Sequence, residues 1–149
     1  MFQLNEKVKN LTPYEPISGT YEIRLDANES FLTFSKEIED EMVQALRNSA
    51  LNRYPDPMAT KLVDGFSKYF SVNPDCVTAG NGSDEIISVI MNAFLQKGDK
   101  ILTLEPDFSM YRFYAEIAEC DSVKYQKDEN LDVNIDDVIA LANNENVRI

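Results

Sequence analysis

The sequence predicts an α/β fold with parallel strand pairing in at least part of its sheet. Two observations carry this. From Asp75 onward, short strand-like runs and helix-period segments alternate in the order strand, helix, strand, helix, strand, helix. Glycine and proline signals fall between these segments, as at Gly80-Asn-Gly82, Lys97-Gly-Asp99 and Pro106.

Residues 1–34 read as an N-terminal arm with a short strand. Leu11-Thr-Pro-Tyr-Glu-Pro-Ile-Ser-Gly19 is turn-rich, and Pro13 and Pro16 keep their neighbours extended. Tyr21–Leu25 alternates enough for a strand. Ser35 caps a helix to about Ser49, with Glu37 and Glu39 in its first turn and Ile38, Met42, Ala45 and Leu46 on one face. Two prolines in Asn52-Arg-Tyr-Pro-Asp-Pro57 forbid a helix there. A second helix is expected from about Met58, with Leu62, Phe66 and Phe70 on one face.

Cys76–Ala79 is the first strand of the alternating part. Ser83-Asp84-Glu85 opens an apolar helix ending near Gln96, and Gly98 follows it as a terminator. A strand at Lys100–Leu104, a helix at about Ser109–Ala118 and a strand at Ser122–Tyr125 come next. Asn134 caps a helix over Ile135–Leu141, and Asn146-Val-Arg-Ile149 reads as the beginning of a further strand. Residues 35–149 are thus expected to hold two helices and the first half of a larger domain.

Composition narrows the function classes. A net charge of −12 argues against nucleic acid or an anionic membrane as partner. No apolar stretch approaches the ~20 residues of a membrane span, and the N-terminus does not read as a signal peptide. With no histidine, and with Cys76 and Cys120 far apart, zinc sites, catalytic triads and Cys-His nucleophiles find no residues. Two buried thiols in a reducing cytoplasm are expected.

Three segments can carry chemistry. Ala79-Gly-Asn-Gly-Ser-Asp-Glu85 lies between a strand and a helix, where unpaired N–H groups and the helix dipole favour phosphate. Gly80 and Gly82 permit close approach and positive φ, and Ser83 adds a hydroxyl and can cap the helix. An ordinary capped turn would read the same way; neither a Walker loop nor a full GxGxxG is present. Glu105-Pro-Asp-Phe-Ser-Met-Tyr111 places Phe108 at the carboxyl edge of the sheet, where ligands of such folds collect. Its ring can stack on a flat cofactor or fill a core. Asn52–Pro57 holds Tyr54 extended, either toward a phosphate or as part of a stiff connector. Asp84/Glu85 and Asp136/Asp137 sit at helix starts, where acids favour the dipole. None of the nine lysines has an apolar context suited to Schiff-base chemistry.

In order and approximate spacing, Leu11-Thr-Pro-Tyr14, Leu25-Asp-Ala-Asn-Glu29, Asn52–Pro57, Gly80–Ile87 and Glu105–Tyr111 resemble the histidinol-phosphate aminotransferases. The resemblance covers essentially the whole chain. It implies part of the pyridoxal-phosphate-dependent (fold type I) αβα sandwich, and hence pyridoxal 5'-phosphate as cofactor. It also implies amino transfer from an amine such as histidinol phosphate to a 2-oxoacid such as 2-oxoglutarate, in histidine biosynthesis. By the same resemblance, Gly82, Ser83 and Asp84 hold the cofactor phosphate, and Phe108, more often tyrosine in relatives, stacks on the pyridine. Tyr54 reaches the phosphate in the partner subunit of a homodimer, and Tyr14 and Asn28 lie on the substrate side. The covalent-anchor lysine, the aspartate of the pyridine nitrogen and the substrate arginine would all fall beyond Ile149, so the 149 residues alone are expected to be inactive. A threonine-phosphate decarboxylase or another aminotransferase of this fold, a non-catalytic phosphate- or nucleotide-binding α/β domain, and a remnant with no ligand are the alternatives.

Overall fold

The computed structural model describes residues 2–9, 11, 15 and 17–149. They form two compact units, Pro13–Val77 and the pair of segments Met1–Thr12 and Thr78–Ile149. The sequence-based expectation divided the chain at 34/35; here residues 35–77 group with residues 13–34, and Met1–Thr12 with Thr78–Ile149.

Within Pro13–Val77, the arm has no strand over residues 21–25. A strand needs a ladder partner, and Arg24 instead folds this segment on itself. Its Nε donates to Asp26 Oδ1 at 2.9 Å and its Nη2 to the Ile17 carbonyl at 3.2 Å. The Arg24 guanidinium holds the Asp26 carboxyl below the usual range. Helix α2 spans Lys36–Arg47 (helices are numbered along the whole chain), and Ser35 caps it by accepting from the Ile38 N–H at 3.4 Å. Ile38, Met42 and Leu46, expected on one face, are all exposed.

Helix α3 spans Thr60–Phe70 and begins two residues later than the pattern predicts. The cause is Asp56, whose Oδ1 accepts from the Met58 N–H at 3.0 Å and whose Oδ2 accepts from the Thr60 N–H at 2.8 Å. The carboxylate thereby does the work of a cap that Ala59, at φ 48°, cannot do. Hydrogen bonds from the Thr60 side chain and then from the backbone lower its pKa. The Phe66 and Phe70 rings pack in a tilted arrangement, their centroids 4.4 Å apart.

The expected strand at Cys76–Ala79 is also absent. Pro74–Cys76 forms one 3-10 turn, and Val77 has extended dihedrals (φ −120°, ψ 126°) with no ladder partner among the described residues. Cys76 is exposed, contrary to expectation, and Cys120 is buried. Burial pushes the Cys120 thiol up.

The other unit contains α1 (Glu6–Lys9), α4 (Gly82–Phe94), β1 (Lys100–Glu105), α5 (Met110–Ile117), β2 (Asp121–Gln126) and α6 (Ile135–Asn144). Strands β1 and β2 pair in parallel, Lys100 opposite Asp121 through Glu105 opposite Gln126, as the alternation predicts. Ile87, Met91 and Leu95 recur every four residues along α4 and its end. They pack with Ile101, Ala115 and Cys120 into one core. Asn134 caps α6 by accepting from the Asp136 and Asp137 N–H groups at 3.0 and 3.4 Å. The last residues lie on the edge of β1 that β2 leaves free: the Arg148 N–H donates to the Lys100 carbonyl at 2.9 Å, and the Leu102 N–H to Ile149 at 2.8 Å.

A clasp closes the amino ends of both strands. Gly98, at φ +86°, donates its N–H to the Glu119 carbonyl at 2.9 Å, and Lys97 Nζ meets Glu119 Oε1 at 2.6 Å. The Lys97 hydrogen bond holds the Glu119 carboxyl below the usual glutamate range. A carboxyl whose folded pKa is lowered contributes stability above its unfolded pKa, and that contribution disappears as pH falls through the folded value. The urea midpoint of wild type should therefore exceed that of Glu119→Gln at about pH 6 and converge with it below about pH 3.5. A pH-independent difference would show that the pair carries none of it.

Candidate phosphate turn and ring platform

Helix α4 starts at Gly82, so Ser83 stands inside its first turn and is not the cap expected of it. Asn81 occupies the cap position without a side-chain cap bond. The first N–H groups of a helix have no carbonyl four residues back, and here no side-chain cap bond from Asn81 replaces one. The two glycines serve different ends. Gly82 has φ +83°, and among the described residues a Cβ there would meet nothing within 4 Å beyond its chain neighbours and the helix's own backbone. That leaves open space beside the uncapped N–H groups. Gly80 is needed for close packing: a Cβ there would lie 2.6 Å from Ile86 Cδ1 and 2.9 Å from Glu85 Oε2. Asp84 and Glu85 fall in the first turn, where the dipole favours them.

Phe108 lies between β1 and α5, 45% exposed, with its ring edge-on to Tyr111 at 6.0 Å. Its loop is held from both ends. Lys127 Nζ donates to the Pro106 carbonyl at 2.9 Å, and the Lys127 N–H and Gln126 Nε2 donate to the Glu105 carbonyl at 2.8 and 3.2 Å. Arg112 Nη1 pairs with Glu105 Oε1 at 2.9 Å, and buried Thr103 donates to the same oxygen at 3.2 Å. This frame is not visible in the sequence, since no helical or strand period links residues 105, 112 and 127.

The carboxyl end of α4 is tied to the amino end of β2, where Cys120 Sγ donates to the Gln96 carbonyl at 3.3 Å. Ile87 and Met91 of α4, and Leu95 just past its end, share one core with Ile101 of β1 and Ala115 of α5. The turn that opens α4 and the ring between β1 and α5 thus belong to the same compact unit.

Asn28 and Tyr54 belong to the other unit. Tyr54 is fully exposed at 101%, beside a shallow depression that it lines with Leu51, Asn52 and Arg53. Asn28 is exposed in the left-handed region at φ 50°. Tyr14 lies outside the described residues. Among the described residues no three His, Cys, Asp or Glu side chains gather as a metal site, and no helix is long and apolar enough to cross a membrane.

The family model for aminotransferase class I and II matches residues 20–148. Histidinol-phosphate aminotransferase of Clostridium novyi is 41% identical over 138 residues, 93% of this chain and 39% of that protein. The Clostridium kluyveri protein of the same name is 39% identical over 144 residues, 97% of this chain and 41% of its own length. This chain therefore spans about two fifths of the length of these curated relatives. Its fold matches the crystal structure of histidinol-phosphate aminotransferase from Sinorhizobium meliloti in complex with pyridoxal-5'-phosphate. The TM-score is 0.72 at 17% identity, over 81% of this chain and 32% of that one.

Proposed function

The chain belongs to the aminotransferase class I and II family, and we propose that it forms the N-terminal part of a pyridoxal-phosphate-dependent transferase moving an amino group from histidinol phosphate to a 2-oxoacid such as 2-oxoglutarate. The observation that carries this is the family match over residues 20–148, joined to the open turn at Gly82. The substrate assignment is supported by relatives at 36–41% identity that bear one name, histidinol-phosphate aminotransferase. A nucleotide-binding domain, by contrast, leaves four of the five motifs unexplained.

The residues present fit the cofactor. An uncapped helix start with open space at Gly82 suits a phosphate, received by the Ser83 and Asp84 N–H groups and the Ser83 hydroxyl. The net charge of −12 opposes an anion at long range, so these short-range dipoles must supply the attraction. A half-exposed ring on a fixed loop suits the pyridine. When bound, pyridoxal phosphate supplies the electron sink for the amino-transfer chemistry. This chain's part is to bind and orient. Gly82, Ser83 and Asp84 anchor one end and Phe108 sets the ring plane. By the family resemblance, Tyr54 is assigned to the phosphate of the partner subunit of a homodimer, and Tyr14 and Asn28 are assigned to the substrate. The covalent lysine, the aspartate of the pyridine nitrogen and the substrate arginine are assigned outside these 149 residues. A cytoplasmic setting suits the unpaired thiols.

The test is a chimera in which these residues replace the matching part of the Clostridium novyi enzyme. It should transaminate histidinol phosphate with 2-oxoglutarate, whereas the 149-residue chain alone should show no turnover. Phe108→Ala in the chimera should weaken cofactor binding roughly three- to tenfold, and Phe108→Tyr should not. A folded chimera that takes up no pyridoxal phosphate would contradict the proposal, as would turnover by the 149 residues alone.

A further inference from the structure

Glu85 folds back across the start of α4. Its Oε2 accepts from the backbone N–H of Asn81 and from Asn81 Nδ2, the latter at 3.2 Å. The same oxygen sits 2.9 Å from where a Cβ on Gly80 would stand, so Glu85 occupies the space that the glycine leaves. This resembles the capping-box reach-back, made from the fourth helical position in place of the third. The donors it uses belong to Asn81. The Gly82 N–H is taken by the Gly80 carbonyl at 3.1 Å. Glu85 therefore pins the turn that leads into α4 without accepting from Ser83 or Asp84.

We infer that Glu85 is a positioning residue of the phosphate turn, holding Gly80–Gly82 in the form that presents the Ser83 and Asp84 N–H groups to the phosphate of pyridoxal phosphate. This rests on the cofactor assignment above. A carboxylate within a turn of a phosphate site has an opposite possible role, that of an internal anion competing with the ligand. The two roles predict opposite effects. Removing a positioner weakens binding, and removing a competitor strengthens it. Glu85→Gln keeps an oxygen acceptor of the same reach and drops the charge, while Glu85→Ala drops both.

The experiment titrates 15N-labelled 149-residue chain with pyridoxal phosphate and, separately, with inorganic phosphate. Wild type, Glu85→Gln and Glu85→Ala are compared, each checked for fold by far-ultraviolet circular dichroism. Glu85→Ala should bind about tenfold more weakly than wild type, the effect of a lost hydrogen bond to a charged group. Glu85→Gln should bind at least as tightly as wild type. Before any ligand is added, the Asn81 backbone and side-chain amide protons should move upfield in Glu85→Ala and stay near wild type in Glu85→Gln. A helix cap with no bearing on the site would change thermal stability and leave these affinities equal. Equal or tighter binding by Glu85→Ala overturns the inference, and so does Glu85→Gln as weak as Glu85→Ala. If no protein perturbs amides at 82–84 with either probe, the cofactor assignment falls and takes the inference with it. If pyridoxal phosphate binds there but Asn81 ignores Glu85→Ala, the inference alone falls.

Discussion

Ile101→Ala should destabilise the unit formed by Met1–Thr12 and Thr78–Ile149 by about 2–5 kcal/mol, read from urea denaturation. Ile101 is 2% exposed and is the largest fully buried side chain among the described residues. It stands on β1 in one core with Ile87 and Met91 from α4, Leu95 just past its end, and Ala115 from α5. A strand residue clamped between a parallel neighbour and two helices leaves walls that cannot collapse inward, so the cavity persists and adds to the transfer loss. Domains have only about 5–15 kcal/mol in hand, and a loss of this size takes a large share. Ile101→Val should cost only about 0.5–1.5 kcal/mol. An alanine variant within about 1 kcal/mol of wild type would mean that the core is not where the structure puts it.

Gly82→Val should reduce pyridoxal phosphate binding by about tenfold or more while leaving the unit folded. Among the described residues, nothing beyond the chain neighbours and the helix's own backbone lies within 4 Å of the added Cβ, so the penalty is backbone strain and not collision with another element. A left-handed conformation costs an ordinary residue roughly 1–2 kcal/mol, and more for a β-branched one. Relief comes from rotating the turn, which would carry the Ser83 and Asp84 N–H groups away from the proposed phosphate position. Gly98→Val is the matched control. Gly98 has φ +86° and is equally open, but it lies in the clasp at the amino ends of the strands. It should lose comparable stability and keep the affinity.

The elements with a strong internal period were legible in the sequence. Ile87, Met91 and Leu95 announce α4, and Ser35 and Asn134 announce the starts of α2 and α6 through their cap bonds. What failed was whatever depends on a partner. Residues 21–25 and 76–79 have strand-like sequences, but a strand is a property of a pair, and neither segment has a ladder mate among the described residues. Helix α3 starts late because Asp56 reaches four residues forward to the Thr60 N–H, a bond that local apolar spacing does not encode. In the site, two glycines that read alike proved unlike, Gly82 serving conformation and Gly80 serving space. Glu85 read only as an acid suited to a helix dipole, although its spacing from Asn81 was visible. The frame around Phe108 joins a strand end, a helix and the end of β2, and only the fold brings Glu105, Arg112 and Lys127 together.

The central claim is that the start of α4 receives a cofactor phosphate. Amide chemical-shift mapping of the wild-type chain against pyridoxal phosphate tests it most directly. The largest movements should fall on Gly82, Ser83 and Asp84, with smaller ones at Phe108 and a broadened 31P resonance of the ligand, at weak affinity because no covalent anchor is assigned to this chain. Maximal shifts elsewhere in the chain, or none at all in a folded sample, would contradict it.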